Sequence, residues 1–272
     1  MPVASVDGLC TLIGNRLQSV PAEDCRALRL TAGDGASRRG LPFVYRDFPP
    51  KSHRRTPFRV LLIGGIHGDE LTSVSMVFQW MKKLETERLQ PFHWRVIPAS
   101  NPDGLLAPKA QRTNGAGVDL NRNFGTPDWD RAARSYWERV THSDPRRFPG
   151  PHALSEPETR WLTAQIEAFR PDAVVSVHAP FGILDYDGPL DPPQRFGYLR
   201  LQPLGIYPGS LGNYAGATLG LSTITLELPN AGIMPSFAQS QRIYADMLTW
   251  LEGNLPKSEP PLFRRLRDDP WH

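Results

Sequence analysis

The sequence predicts an α/β fold: a single domain with a mixed, largely parallel central sheet flanked by helices. Three observations predict it. Short β-rich runs alternate along the chain with longer segments of helical periodicity, the pattern of strand–helix–strand units. Two of the runs, around Val60 to Ile63 and Asp172 to Val177, are predominantly apolar without polar alternation, as strands buried on both faces of a parallel sheet are. Near the N-terminus two further β-rich runs flank turn chemistry, which adds an antiparallel hairpin and makes the sheet mixed.

Taken in order, residues 1–25 read as a helix with loose ends centred on Leu9 to Leu17. Arg26 to Thr31 and Pro42 to Phe48 are the hairpin strands, with Gly33-Asp34-Gly35 as the turn. Pro49 to Pro57 is a polar, proline-containing loop, and Phe58 to Ile63 is a buried strand. Leu71, Val74, Val77, Phe78, Met81 and Leu84 recur at helical spacing. Trp94 to Pro98 is the next strand and ends in the turn Asn101-Pro102-Asp103-Gly104. A long loop follows, and Gly125 to Gly150 extends it. Ser155-Glu156-Pro157-Glu158 reads as a capping box, with Ser155 at the N-cap of a helix carrying Trp161, Leu162, Ile166 and Phe169 on one face. The strand Asp172 to Val177 runs into His178, and residues 179–200 read as a loop-rich excursion. Thr223 to Leu228 alternates as a half-buried strand with Glu227 on its polar side. Residues 235–252 form a last amphipathic helix. The expected division is a catalytic domain over residues 1–255 and a Pro/Arg-rich tail over residues 256–272.

The chain of 272 residues is 40% hydrophobic and 22% charged, which suits one large globular domain. Its arginine pairs (Arg38-Arg39, Arg54-Arg55, Arg146-Arg147, Arg264-Arg265) are scattered, as solvated surface is, and no basic stripe suggests nucleic acid. No run approaches the ~18 apolar residues of a membrane span. Residues 1–20 lack a charged segment followed by an apolar core, so the expected compartment is the cytoplasm. Cys10 and Cys25 are the only cysteines, and a reduced pair is the expectation there.

The chemistry gathers at strand ends. After Val60 to Ile63, Gly64 and Gly65 let the backbone turn, and His67-x-x-Glu70 precedes a helix. Residues three apart converge if Glu70 begins that helix. A lone His-x-x-Glu is more often a surface turn than a metal site. Here His178 follows a second strand and completes a His2Glu set, an arrangement of catalytic zinc with one coordination position left open. Strand C-terminal ends are also where open α/β sheets bind ligands.

These residues resemble the zinc carboxypeptidases, or funnelins. The resemblance is carried, in order, by Gly65-Ile66-His67-Gly68-Asp69-Glu70, Asn101-Pro102-Asp103-Gly104, Gly117 to Phe124, Gly150-Pro151 with Ser155 to Glu158, Val177-His178, Tyr207 with Gly209-Ser210, and Thr225-Leu226-Glu227. It spans roughly residues 40–250, and within the family it is nearest the bacterial murein peptide amidase branch, through Arg112 to Phe124 and His178-Ala179-Pro180. The resemblance implies one zinc per chain held by His67, Glu70 and His178. It implies Glu227 as general base and proton donor, Arg112 at the oxyanion, and Arg122 with Asn121 on a substrate carboxylate. Tyr207 matches the family's mobile tyrosine through Tyr-Pro-Gly-Ser alone, with a shorter spacer than in the digestive enzymes. Asp119 is a partner for a metal histidine or a structural carboxylate. The remaining histidines, His53, His93, His142, His152 and His272, read as surface.

The implied substrate is a small peptide with a free carboxylate, a murein tripeptide, cleaved at the γ-D-glutamyl–diaminopimelate bond during cell-wall recycling. Competing readings are an acylamino-acid deacylase of the aspartoacylase type, a general metallocarboxypeptidase, and a non-catalytic zinc-binding module. The deacylases share a His-Gly-x-Glu turn and Asp-Leu-Asn-Arg. Asn101 to Gly104 and the segment from Gly150 to Glu158 favour the amidase, and the full ligand set with Glu227 disfavours the module.

Overall fold

The computed structural model describes residues 5–51 and 58–255. The N-terminal stretch forms two helices, α1 (Val6–Arg16) and α2 (Ala22–Ala27), where the sequence suggested one. Pro21 stands at the break, as N-cap of α2. The two helices face each other, and Cys10 and Cys25 are joined in a disulfide rather than reduced. Both sulfurs are buried, so the pairing follows from the helix break that turns α2 back onto α1.

The hairpin strands are β1 (Thr31–Ala36) and β2 (Pro42–Phe48), paired antiparallel. The Gly33-Asp34-Gly35 stretch lies inside β1, and the turn falls later, where Ser37 N–H donates to Leu41 O at 2.9 Å. The physical reason is steric. A Cβ on Gly33 would stand 2.6 Å from Trp161 Nε1, so this glycine serves close packing rather than a turn.

Next come β3 (Arg59–Gly64), α3 (Leu71–Thr86), β4 (His93–Ile97) and the one-turn α4 (Pro102–Leu105). Within the segment expected to be loop lies a helix, α5 (Trp129–Arg139). Then follow α6 (Pro157–Phe169), β5 (Ala173–His178), β6 (Ile183–Asp187), β7 (Arg195–Phe196), β8 (Leu199–Leu201), β9 (Ser222–Glu227) and α7 (Phe237–Asn254). The 179–200 stretch therefore contributes three strands. At α6 the N-cap is Glu156, without a side-chain cap. Ser155 Oγ donates instead to Glu156 at 2.8 Å, and Glu158 accepts from Asn114 at 3.0 Å. The capping box that does form is Ser236 with Gln239, at α7.

The described strands make one sheet in the order β1-β2-β4-β3-β5-β9-β6-β8-β7. β4, β3, β5 and β9 are parallel, and β2 and β6 flank them antiparallel. Alternation along β3 sends Val60 and Leu62 into one apolar layer and Leu61 and Ile63 into the other. The first layer is covered by α1, α2, α3 and α7; the second is covered by α6. β9 is buried along nearly its whole length because β5 and β6 pair with it on both edges, so it is a central strand rather than a half-buried one. Trp80 on α3 and Ser240 on α7 tie the first layer together through a 3.1 Å hydrogen bond.

The chain leaves β3 toward β4 on one side, and β5 lies on the other. This reversal of strand order opens a crevice beyond the C-terminal ends of β3 and β5, the position where open α/β sheets bind ligands. No helix among the described residues is long and apolar enough to cross a membrane.

Candidate active site

At the end of β3 the backbone turns through Gly65, whose φ of +66° suits glycine. Gly68 then passes so close to the backbone of Gly104 and Leu105 that no side chain fits there. Asn101 locks the same corner: its Oδ1 caps α4 on Gly104 N–H at 2.9 Å, and its Nδ2 donates to Arg112 O at 3.1 Å. The turn carrying His67 and the loop carrying Arg112 are thereby one rigid unit.

His67, Glu70 and His178 converge. Glu70 is the N-cap of α3, and its carboxylate makes no cap hydrogen bond. It reaches instead between the imidazoles, with Oε1 2.7 Å from His67 Nδ1 and Oε2 3.1 Å from His178 Nδ1. The two Nδ1 atoms are 3.3 Å apart. All three residues are buried. The outer nitrogens have their own partners: His67 Nε2 lies 3.2 Å from Asp119 Oδ1, and His178 Nε2 lies 2.9 Å from Ser176 Oγ. Both rings therefore turn Nδ1 inward beside a carboxylate, and a metal-ligating histidine has this kind of outer support. Two imidazole nitrogens and a carboxylate oxygen are the donor set that zinc takes in a catalytic site. The residues fit the ion.

The electrostatics match this crowding. Burial would raise the Glu70 carboxyl, but His67 and His178 outweigh it and hold it well below the usual carboxylate range. Asp119, fully buried, is likewise held low by Arg112 and His67 against the pull of burial. Burial pushes Glu227 the other way, up from its ordinary value, against the influence of His178. Glu227 Oε2 is buried without a hydrogen-bond partner.

All eight residues singled out from the sequence line one cavity: His67, Glu70, His178, Glu227, Arg112, Asn121, Arg122 and Tyr207. Arg112 is not a solvated loop arginine. Its Nε donates to Asp119 Oδ2 at 2.9 Å, and Nη1 stands 3.7 Å from Glu70 Oε1. Asp119 thus meets both His67 and Arg112. Asn121 accepts Leu211 N–H at 2.8 Å. The Arg122 guanidinium lies 4.6 Å over the Tyr207 ring, with its Nε unpaired and its Nη1 on Asn121 O at 2.6 Å. Burial lowers the Arg122 pKa from the usual guanidinium value. Tyr207 donates its hydroxyl to Leu204 O at 2.5 Å.

The fold sets this cavity beside the turns after β3 and β5. A sequence profile described as zinc carboxypeptidase matches residues 17–184, more than half of the chain. The chain belongs to the zinc carboxypeptidase family. As a family member it is a hydrolytic zinc enzyme, and its His-Glu-His group could hold the ion. It is 31% identical to murein peptide amidase A of Escherichia coli over 228 residues, 79% of this chain and 88% of that protein. It is 32% identical to murein peptide amidase A of Vibrio campbellii over 202 residues, 72% of this chain and 77% of that one. The crystal structure of the murein-tripeptide amidase from Escherichia coli superposes with a TM-score of 0.56 at 28% identity, covering 82% of this chain and 94% of that chain. Carboxypeptidase A of Helicoverpa armigera shares the fold, with a TM-score of 0.58 at 18% identity over 94% of this chain and 72% of that one.

Four cavity residues and one supporting residue escape the sequence reading. Ser176 holds His178 and is signalled only by its place two before it, on the same side of β5. Arg146 and Arg147 reach the cavity, and Arg146 pairs with Asp69 at 2.8 Å. Asp185 and Asp187 line the cavity from β6. His93, expected at the surface, is half-buried edge-on against Phe169, with ring centroids 5.1 Å apart. Arg38, also expected to be solvated, pairs with buried Glu156 at 2.9 Å. The tail over residues 256–272, His53, His272, and the pairs Arg54-Arg55 and Arg264-Arg265 lie outside the described residues.

Proposed function

We propose that the chain is an amidase that cleaves the γ-D-glutamyl–diaminopimelate bond of murein peptides, and that it acts in cell-wall recycling. The observation that carries the reading is the grouping of Glu227 and the His67–Glu70–His178 set with two arginines in one cavity of a chain 31% identical to a murein peptide amidase. Residues 1–255 serve as the catalytic domain in this reading, and the compartment is the cytoplasm, where such peptides are recycled.

Zinc, held by His67, Glu70 and His178, would polarise the scissile carbonyl and acidify a water. Glu227 takes the proton of that water at its unpaired Oε2 and delivers it to the departing amine. Its buried position supports this, because a carboxyl pushed upward in pKa is a better base toward that water. Arg112, steadied by Asp119, donates to the carbonyl oxygen as charge develops there. Arg122 offers its guanidinium to the free carboxylate next to the scissile bond, with Asn121 beside it. The Tyr207 ring lies beneath the Arg122 guanidinium and holds it in place.

The test is mass spectrometry of products from L-Ala-γ-D-Glu-diaminopimelate beside an ordinary α-linked peptide with a C-terminal residue of similar size. Release of free diaminopimelate, with the α-linked peptide cut far more slowly, is the expected result. Faster cleavage of the α-linked peptide would replace the amidase reading with a general carboxypeptidase.

A further inference from the structure

The helix α5 buries a face that serves neither apolar layer of the sheet. Its buried residues, Trp129 and Ala133, fall outside both layers. Trp129, Ala133 and Tyr136 stand at i, i+4 and i+7, so they share one face of the helix. Asp130, Arg131, Arg134 and Glu138 elsewhere on it are exposed. A helix of this amphipathic kind packs its apolar face on something, and here that is the backing of Arg122.

Two contacts reach Arg122 from this face. Trp129 donates its Nε1–H to Arg122 O at 2.8 Å. Gly209 makes room for that bond, since a Cβ there would stand 2.1 Å from Arg122 O and 2.8 Å from Trp129 Cδ1. Two residues before Gly209, the Tyr207 ring lies 4.6 Å from the Arg122 guanidinium. Tyr136 meets that ring in a T-shaped contact, with centroids 5.5 Å apart. Tyr136, Tyr207 and Arg122 therefore form a row that runs from α5 to the cavity. A turn-mate, Trp137, donates to Asp144 O at 2.8 Å and packs on Phe148, which ties down the segment that brings Arg146 and Arg147 to the same cavity. A long side chain gives up rotamer freedom when it binds a carboxylate, and one already held in place gives up less.

We infer that Tyr136 is a positioning residue for substrate binding: it backs the Tyr207 ring, and the ring keeps the Arg122 guanidinium aimed into the cavity. Trp129 pins the main chain of Arg122 from the same helix. This rests on the reading of Arg122 as the anchor of a substrate carboxylate. Tyr136 itself does not line the cavity, so it acts through Tyr207 and not on the substrate. The contact is ring against ring, so a phenylalanine serves as well as the tyrosine.

Two measurements test it on the zinc-loaded protein. The first is steady-state kinetics on L-Ala-γ-D-Glu-diaminopimelate, with melting temperature and zinc content checked in each variant. Tyr136→Leu should raise KM roughly 2- to 10-fold, the size of one aromatic pair. Its kcat should stay within about twofold, because an anchor that holds ground state and transition state alike shows in KM. Tyr136→Phe should restore KM, and the Tyr136→Leu effect should vanish in a Tyr207→Leu background. A loss in kcat alone, no rescue by phenylalanine, or an effect that persists without Tyr207 overturns the inference. Trp129→Phe, which deletes only the donor to Arg122, is the second variant should Tyr136→Leu not fold, and it should raise KM in the same way; an unchanged KM there overturns the inference. The second measurement is NMR of the arginine Nε–H groups in labelled protein, with the Arg122 signal assigned by its loss in Arg122→Lys. Rotation about the Arg122 Nε–Cζ bond should be faster in Tyr136→Leu than in wild type and unchanged in Tyr136→Phe. Equal rotation in all three overturns the inference. NMR needs no turnover, so a protein that does not cleave the peptide but frees Arg122 in Tyr136→Leu loses the amidase reading and keeps the positioning role of Tyr136.

Discussion

His178 and Glu227 are register partners at the C-terminal ends of the adjacent parallel strands β5 and β9. Their separation is therefore set by the sheet's hydrogen-bonding spacing and not by loop conformation. One gives its Nδ1 to the His-Glu-His group, and the other presents a buried, unpaired carboxylate oxygen. A group held by a sheet keeps its distance to within the tolerance catalysis demands.

Glu227→Gln tests what that carboxylate does. The amide is nearly the same shape, so the fold and zinc content should stay at wild-type levels. kcat should fall on the order of 10² to 10⁴, the usual share of a positioned acid–base group. Steady-state kinetics beside elemental analysis reads both, and near-full turnover would mean that another group activates the water.

Asp119 should matter to metal affinity more than its place outside the ligand set suggests. It holds His67 Nε2 at 3.2 Å and Arg112 Nε at 2.9 Å. Asp119→Asn is expected to weaken zinc binding roughly 10- to 100-fold, the usual effect of losing a carboxylate behind a ligating histidine. His67→Ala and His178→Ala should abolish stoichiometric zinc, since each removes one of three donors. Competition against a chromophoric chelator measures all three. Wild-type affinity in Asp119→Asn would reduce its role to fixing Arg112.

The legible part of this site sits where an apolar run ends in a chemical residue. Val60 to Ile63 before His67, and Val174 to Val177 before His178, announce both the strands and their functional ends, because a parallel strand buried on both faces reads as an apolar run that stops where the sheet ends. The disulfide was not legible, because it depends on the break between Arg16 and Ala22 that folds α2 back on α1. Ser155 to Glu158 misleads for a related reason. Its side chains match a capping box, but Asn123 and Asn114, distant in sequence, take them instead. Asp185 and Asp187 lay in a stretch whose glycines and prolines read as loop. Only pairing with β9 makes it a strand, and local sequence does not encode that partner.

The Asp187 carboxyl also implies a pH dependence of stability. Its folded value, about 6, lies above the ordinary 3.8, so its contribution is fully present below about 3.8 and is lost as pH rises through 6. Asp187→Asn removes that loss. The variant should melt close to wild type near pH 4 and progressively higher than wild type by pH 7, in thermal scans on ligand-free protein. A difference independent of pH would mean that the wild-type group titrates alike in both states.

Arg122 is the sharpest test of how the substrate is anchored. Its guanidinium is buried, stacked 4.6 Å over Tyr207 and left with an unpaired Nε, so it is pre-set to receive a planar acceptor. A fork of donors fits a carboxylate, and a lysine's point charge neither fits it nor stacks on the ring in the same way. Arg122→Lys should therefore lower kcat/KM far more than Arg→Lys at exposed Arg134, whose partner is Glu138 on the same helix. Amidating the substrate's anchoring carboxylate should remove most of the wild-type advantage over Arg122→Lys, because both changes delete the same contact. The two changes form a double cycle, and groups that meet directly couple strongly in such a cycle. Steady-state kinetics on the four combinations decides it. Additive losses, or an amidated substrate cleaved as fast as the free acid, would place the carboxylate elsewhere in the cavity, with Arg146 and Arg147 the next candidates to hold it.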